Sequence, residues 1–361
     1  MPYDLSRTLV VGVSATALFD LSEADAVFQA KVQDAPDEAI DAYRKYMLVL
    51  ENEPLAPGTS YSLVKALLDL NKYKMSEDDP PLVEVVVMSR NSPETGVRVL
   101  KVIRRDGLPI SRSVFTGGEP VVDYLEAFDV DLFLTTSAED AQNVSDSAVC
   151  PAALVYPPPS SAVPLPENQV RIAFDGDAVL FSEASEVVNK TEGLAAFHRT
   201  ENEASAVPLD DGPYASLLRK LGKLQERLPM RVEYSPVRIA VVTARNAPAE
   251  LRVIMTLRSW RVYVDAVFFL GGVSKEKVLR AFKPHIFFDD QPVHLSEASK
   301  VVSAAQVPYR TGSPLAVVPP PVVTEASGRV EARGEAAQQA VAADGAAPAS
   351  VSRGGHSGPR S

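Results

Sequence analysis

Short apolar runs alternate with amphipathic stretches along most of this chain. In its second half, the runs QVRIAF, VRIAVVT, VDAVFFL and PHIFF are rich in Val, Ile and Phe, which is typical of strands buried on both faces. Between them, ELRVIMTLRSW and SKEKVLRAF have apolar residues at helical spacing and charges on the opposite side. Strands that alternate with helices predict an α/β fold with a parallel, doubly wound sheet and right-handed crossovers.

The first half of the chain repeats the pattern of the second. The stretch FTGGEPVVDYLEAFDVDLFLTT, residues 115–136, aligns without a gap with FLGGVSKEKVLRAFKPHIFFDD, residues 269–290, so that the offset is 154 positions. The same offset places Gly58 on Gly212. Glycines and strand ends that match at one offset favour an internal duplication over a chance similarity between two α/β segments.

Composition marks the boundaries of the predicted units. The proline-rich stretch YPPPSSAVPLPENQ predicts a linker at 157–169, between a first unit at 1–156 and a second unit at 170–311. From 312 to 361 the chain is rich in Ala, Pro, Gly and Ser and has no aromatic residue, which predicts a disordered tail. In the second unit, residues 182–236 are too many for a plain loop and include the helical stretch YASLLRKLGKLQERL.

Overall composition limits the classes of function. The 361 residues are 46% hydrophobic and 23% charged, as in soluble globular proteins. The formal net charge of −11 argues against a nucleic-acid partner or an anionic membrane, because proteins that bind these carry basic patches. Cys150, the single cysteine, cannot form an internal disulfide, and the chain shows neither a signal peptide nor an apolar stretch near the roughly 20 residues that span a bilayer. We therefore expect a cytoplasmic location.

Polar side chains follow the predicted strands of the second unit. In chain order these are Asp175, Asp177, Thr243, Lys275, Asp289 and Asp290. Because ligands of such sheets bind beyond the carboxyl ends of the strands, we expect these residues to share one edge of the sheet. Carboxylates gathered in a cleft repel one another unless a cation compensates, and Mg²⁺ is a hard cation that prefers oxygen ligands.

These motifs carry a resemblance to known phosphohydrolases. DGDAV, a Thr at a strand end, a Lys and FFDD, in that order, resemble the four-motif signature of haloacid-dehalogenase-like (HAD-like) phosphohydrolases. AFDGDAVLFS, VTAR, LRSW and PHIFFDDQ, with ENEPLAPG and FTGG of the first half, resemble more narrowly the AMP-preferring cytosolic type I 5'-nucleotidases, over most of residues 8–312. The resemblance implies two duplicated HAD-like Rossmannoid units with parallel sheets, and a helical cap insert at about 182–236 in the second.

The resemblance also implies roles for the polar residues in catalysis. Asp175 would attack phosphorus and form an aspartyl-phosphate, and Asp177 would protonate the leaving oxygen and then activate water. Thr243 would donate a hydrogen bond to the phosphoryl group, and Lys275 would neutralise its charge.

The implied metal ligands are Asp175, the backbone carbonyl of Asp177, and Asp289 with Asp290, around Mg²⁺. One aspartate of the last pair can instead cap the following helix, and Asp289 is the favoured ligand. Arg245 can contact the substrate phosphate or a neighbouring carboxylate, and Lys277 competes with Lys275 for its role. The four histidines lack metal-binding spacing, so we expect them on the surface or in packing.

The first unit lacks the acidic set. Ser14 and Thr16 occupy the places of Asp175 and Asp177, and the other three corresponding positions hold Val121, Thr135 and Thr136. We therefore expect no second active site there. The first unit can serve as a scaffold, complete the nucleotide pocket or bind a regulatory nucleotide.

Together the motifs predict a Mg²⁺-dependent 5'-nucleotidase that converts nucleoside 5'-monophosphates, with AMP or a deoxynucleotide favoured, to nucleoside and phosphate. One alternative is a phosphatase of another small phosphate ester, and the other is a catalytically silent nucleotide-binding protein. The intact acidic set of the second unit favours an enzyme. Besides the substrate, an activating nucleotide and a homo-oligomer remain open as partners.

Overall fold

A ten-stranded sheet runs through the described part of the chain, which is residues 4–229 and 235–317 of a computed structural model. The strands are β1 Leu9–Val13, β2 Val83–Ser89, β3 Arg112–Phe115, β4 Leu132–Thr135, β5 Ala152–Val155, β6 Val170–Phe174, β7 Val237–Thr243, β8 Ala266–Phe269, β9 Ile286–Asp289 and β10 Ala304–Gln306. Their spatial order is β3-β2-β1-β4-β5-β10-β9-β6-β7-β8. All neighbours are parallel except β5 and β10, which pair antiparallel. The predicted α/β fold is therefore confirmed.

Helices connect the strands, as the alternating pattern predicts. Within the described residues they are α1 Ala15–Leu18, α2 Ser22–Gln29, α3 Pro36–Val49, α4 Tyr61–Asp69, α5 Pro93–Arg105, α6 Val122–Leu125, α7 Ala138–Ser147, α8 Ala184–Glu192, α9 Leu194–Glu203, α10 Ala215–Gln225, α11 Glu250–Ser259, α12 Glu276–Phe282, α13 Pro292–Ala298 and α14 Pro314–Val317. Short 3-10 helices cover Leu70–Tyr73 and Glu126–Phe128. None of the described helices is both long and apolar enough to cross a membrane.

Local sequence signals explain where the elements begin and end. Helix α5 begins after Ser92, whose hydroxyl accepts a hydrogen bond from the backbone N–H of Thr95, and Pro93 occupies its first position. Its last turn carries Arg104 and Arg105, whose positive charges interact favourably with the negative end of the helix dipole. Strand β7 coincides with the apolar run VRIAVVT, and nearly all its residues are buried.

The two halves of the sheet have the same internal order. The first half is β3-β2-β1-β4-β5, the second is β8-β7-β6-β9-β10, and the two meet where β5 pairs with β10. One hydrophobic core includes Val11 and Leu134 of the first half with Phe174 and Ile239 of the second. A shared strand order is what a duplication would produce, but the duplication and the unit boundaries stay predictions.

The helices between β6 and β7 pack in two different places. Leu217, Leu218, Leu221 and Leu224 of α10 are buried in the core that both halves share, whereas α8 and α9 pack against each other. The first half also has helices between its first two strands, α2 to α4, so a helical segment here is not peculiar to the second half. The cap insert at about 182–236 therefore stays a prediction.

The predicted linker and tail are in part ordered. In the stretch 157–169, the backbone N–H groups of Ser161 and Val163 donate to the carbonyls of Lys300 and Val301. Residues 312–317, which composition assigns to the tail, include α14, because the side chain of Leu315 is buried against the fold. The rest of the predicted disordered tail, 318–361, lies outside the described residues.

Candidate active site

The carboxyl ends of β6, β7 and β9 bring the predicted site residues together. Asp175 follows β6, and its backbone N–H donates to the carbonyl of Phe288 in β9 at 2.8 Å. Thr243 ends β7, and Gly176 lies so close to it that a Cβ at Gly176 would stand 3.2 Å from the threonine hydroxyl oxygen. Asp289 ends β9 and is fully buried. This edge of the sheet is the one that the strand pattern predicts.

Lys275 lies between two carboxylates of the site. Its ammonium nitrogen is 2.8 Å from Oδ1 of Asp175 and 2.6 Å from Oδ2 of Asp289. Burial alone would lower the pKa of Lys275, but the two carboxylates outweigh it and raise that pKa. Lys277, the competing candidate, is exposed to solvent.

The three aspartates near Lys275 differ in their affinity for protons. Burial raises the pKa of Asp175 to about 6, although Lys275 opposes the shift. Burial acts in the same direction on Asp289, but Lys275 and His294 outweigh it and lower the pKa. The pKa of Asp290 is raised well above its usual value by burial and by the charges of Asp289 and Asp175. One edge of the sheet thus holds carboxyl groups whose environments push their pKa values apart.

The residues present fit a divalent cation. Asp175, Asp289 and His294 each offer a ligand atom, and these atoms lie within 4.8 Å of one another. Asp290 turns one carboxylate oxygen to the hydroxyl of Tyr309, and its other oxygen, Oδ1, is buried without a hydrogen-bond partner among the described residues. A buried carboxylate oxygen without a donor, beside further carboxylates, matches the oxygen donors that Mg²⁺ and similar ions require.

His294 is a neighbour of the site that sequence reasoning missed. Its Nδ1 is 3.2 Å from Oδ2 of Asp289, and its side chain is only 27% exposed. The expectation of a surface or packing role therefore does not describe this residue. The signal that could have found it is its place on the first turns of α13, directly after the DD motif.

Arg245 holds both carboxylate oxygens of Asp177. Its Nε donates to Oδ2 at 2.8 Å and its Nη2 to Oδ1 at 2.6 Å. Of the two roles considered for Arg245, contact with a neighbouring carboxylate is the one present here. Burial would lower the pKa of Arg245, but Asp177 and then Glu201 outweigh it and raise that pKa.

Two acidic residues of the helices after β6 also belong to this region and were not predicted. Glu201 of α9 is fully buried and accepts a hydrogen bond from Nη1 of Arg245. Glu186 of α8 is half-buried, and burial together with the charge of Asp177 raises its pKa. Its Oε1 accepts a long hydrogen bond of 3.5 Å from Gln291, which follows β9. Helices α8 and α9 therefore border the site.

The corresponding edge of the first half holds hydroxyl groups that bind one another. The Oγ of Ser14 is 3.0 Å from Oγ1 of Thr16, and Thr136 donates to the same Thr16 oxygen at 2.5 Å. Thr135 accepts from the backbone N–H of Ser137, and Val121 is buried. Among the described residues, the cluster that could hold a metal lies in the second half.

Comparisons with known proteins agree with the family resemblance that the motifs carry. The profile of the 5'-nucleotidase family matches residues 1–314. The chain is 33% identical over 304 residues to human cytosolic 5'-nucleotidase 1B. The alignment covers 83% of this chain and 48% of the relative, so the chain spans about half the length of that protein. No solved structure matches significantly. With the acidic motifs on one sheet edge and a family match over nearly the whole described chain, this protein belongs to the cytosolic type I 5'-nucleotidase family.

Proposed function

We propose that the protein is a cytoplasmic, Mg²⁺-dependent 5'-nucleotidase that hydrolyses nucleoside 5'-monophosphates, with AMP or a deoxynucleotide as first candidates. The observation that carries the proposal is the buried ammonium of Lys275 between Asp175 and Asp289 at the carboxyl edge of the sheet. The family match and the name of the human relative, a cytosolic 5'-nucleotidase, support the substrate class and the location.

In the first proposed step, a carboxylate oxygen of Asp175 attacks the phosphorus of the substrate. The bond between phosphorus and the ribose O5' breaks, O5' takes a proton from Asp177, and nucleoside leaves an aspartyl-phosphate on the enzyme. Asp177 follows Asp175 by two positions, so both can approach one phosphoryl group. Thr243 donates a hydrogen bond to a phosphoryl oxygen, and Lys275 offsets the negative charge there.

In the second proposed step, water attacks the phosphorus of the aspartyl-phosphate. Asp177, now ionised, accepts a proton from the water, and the bond between phosphorus and the Asp175 oxygen breaks. Inorganic phosphate leaves, and both aspartates return to their starting states.

The divalent cation would be held by Asp175, Asp289, Asp290 and the backbone carbonyl of Asp177, with His294 beside Asp289. When bound, it supplies positive charge that stabilises the phosphoryl oxygens. Lys275 is the protein's own cation beside two of these carboxylates, those of Asp175 and Asp289.

Phosphate release from a panel of nucleoside 5'-monophosphates and sugar phosphates tests the proposal. We expect release from nucleotides with Mg²⁺, none with EDTA, and none from the variant Asp175→Asn, because the amide cannot act as the nucleophile. The matched control is Asp210→Asn, which changes an exposed aspartate of the same half and should keep wild-type activity. Release from sugar phosphates alone would indicate a different phosphatase, and nucleotide binding without any release would indicate a silent binding protein.

A further inference from the structure

Glu201 is a buried charged residue that the proposed reaction does not use. It lies on α9 with none of its surface exposed, and its two carboxylate oxygens face different partners. Oε2 accepts from Arg245, whereas Oε1 accepts from Arg252 at 2.9 Å and from Ser185 at 2.7 Å. Arg245 in turn holds Asp177, so a chain of ionic contacts runs from the helices after β6 to the proposed acid and base.

A gain in net stability is a weak explanation for this network. Moving two carboxylates and two guanidinium groups out of water costs several kcal/mol per ion, and well-packed apolar residues of similar volume are often as stable or more stable. A buried network of this kind is therefore weak evidence for a structural purpose.

The first half of the chain shows what the same packing looks like without the network. At the offset of 154 positions, Tyr43 aligns with Phe197 and Asn91 aligns with Arg245. The hydroxyl of Tyr43 donates to Asn91 at 3.1 Å. In the second half, the guanidinium of Arg245 lies 5.3 Å from the ring centre of Phe197. The contacts of the two halves therefore correspond at this place.

The residues that differ are those that lead to the site. Met47 stands where the second half has Glu201, and its sulfur is 3.8 Å from Arg98, the counterpart of Arg252. Thr16 stands where the second half has Asp177, at an offset of 161 positions that strands β1 and β6 share. The first half thus has methionine, asparagine and threonine where the second half has Glu201, Arg245 and Asp177. Its helices pack without the ionic network.

We propose that Glu201 is a positioning residue that acts on Asp177 through Arg245. This inference rests on the proposed function. A guanidinium group is planar, and here Nε and Nη2 bind Asp177 while Nη1 binds Glu201. Because Glu201 fixes the third nitrogen, the plane cannot turn, and the carboxyl group of Asp177, which carries the proton in the first step, keeps one orientation toward the leaving oxygen. Loss of Glu201 frees Arg245 to adopt other rotamers and leaves Asp177 poorly aligned for proton transfer.

Two substrates with different leaving groups test the proposal. The nucleoside alkoxide of AMP needs a proton from Asp177, whereas p-nitrophenolate leaves as a stable anion, and kcat/KM covers the steps through loss of the leaving group. For Glu201→Gln we expect kcat/KM with AMP to fall about 10- to 100-fold, and kcat/KM with p-nitrophenyl phosphate to fall less than about threefold. Glu203→Gln, the same change at an exposed position of α9, is the control and should alter neither value.

A double variant distinguishes positioning from general damage. If Glu201 acts through Asp177, Glu201→Gln should lower AMP hydrolysis no further in the Asp177→Asn background. Should Glu201→Gln prove unfolded in a thermal scan, Arg245→Lys replaces it, because lysine keeps the charge but cannot bridge two carboxylates, and the same selective loss is expected.

Four results would overturn the proposal. Equal losses with both substrates, or a further loss in the Asp177→Asn background, would mean that Glu201 only supports the fold. Wild-type AMP hydrolysis by Glu201→Gln, with activity lost in Asp177→Asn, would refute positioning while the proposed function stands. If Asp177→Asn itself hydrolyses AMP like the wild type, the proposed acid is wrong and the positioning role falls with it.

Discussion

At the scale of single residues, Lys275 sets the balance of charge in the site. Its ammonium is the buried cation that both Asp175 and Asp289 contact, and no water reaches this group easily because its exposed fraction is 4%. Removing one member of such a group leaves like charges that repel each other at low dielectric. We therefore expect the same residue to matter for folding and for the proposed phosphoryl transfer.

We predict that Lys275→Met, measured in EDTA, lowers the free energy of unfolding by about 3–5 kcal/mol, because two buried carboxylates lose their partner. With Mg²⁺, kcat for nucleotide hydrolysis should fall at least about a hundredfold, since a charge on the phosphoryl oxygens is no longer neutralised. Urea unfolding and phosphate release measure the two effects. Lys277→Met is the exposed control, and wild-type stability of Lys275→Met would show that the buried pairs contribute little.

The sequence signals predict candidate site residues at strand ends, which the structure brings to one edge of the sheet, and they miss residues that reach this edge from elsewhere. Asp175, Thr243 and Asp289 each close a strand whose end is visible in the apolar pattern, and parallel strands bring their ends together. Glu201 reaches Arg245 over 44 positions, and Tyr309 reaches Asp290 over 19, so that only the folded chain reveals these contacts. The internal repeat contains one signal that could have indicated Glu201, because this glutamate aligns with the apolar Met47 of the first half.

At the scale of elements, periodicity identifies a buried face but not what covers it. The predicted helical stretch YASLLRKLGKLQERL contains α10, whose buried leucines pack into the core that both halves share. The prediction of a cap treated α10 together with α8 and α9 because all three lie in one stretch between two strands. Sequence order gives no information on which helix of such a stretch faces the sheet and which borders the site.

Gly212 and Gly222 differ in how closely other backbone atoms approach them, and this difference predicts opposite effects of alanine. A Cβ at Gly212 would stand 2.6 Å from the carbonyl oxygen of Val179, so the backbone would have to shift. A Cβ at Gly222 in α10 would have its nearest neighbours in the Val262 side chain, at an ordinary contact distance of 3.7 Å. We predict that Gly212→Ala destabilises the protein by about 1–3 kcal/mol. Gly222→Ala should stabilise it by up to about 1 kcal/mol, because alanine favours a helix.

Thermal and urea unfolding of the two alanine variants measure this pair of opposite effects. Gly58→Ala provides a third variant, since a Cβ there would lie 2.6 Å from the carbonyl oxygen of Ala17 in the corresponding place of the first half. It should behave like Gly212→Ala. If all three variants shift the midpoint in the same direction, close backbone approach is not what requires glycine at these positions.

At the scale of the whole molecule, the seam between the halves is a strand pair and a shared core. The carbonyl and N–H groups of β5 would be an open edge if the first half stood alone, and β10 covers that edge. Composition at 157–169 predicted a linker but carried no sign that the strands on either side of the seam pair. Two units joined in this way have apolar residues of both in one cluster, so unfolding of one exposes the core of the other.

We therefore predict that a cavity in the first half destabilises the second half as well. Leu134→Ala removes a fully buried side chain of β4 and should cost about 2–5 kcal/mol. Trp260, the single tryptophan, lies in the second half, where its ring packs on Phe181 at 5.5 Å between centroids, so its fluorescence reports on that half alone. In urea, the fluorescence midpoint of Leu134→Ala should fall together with that of far-UV circular dichroism, whereas Ile40→Ala, an exposed change in the first half, should move neither.

A wild-type fluorescence midpoint beside a biphasic dichroism curve would mean that the halves unfold independently, and that the shared core contributes little to coupling them.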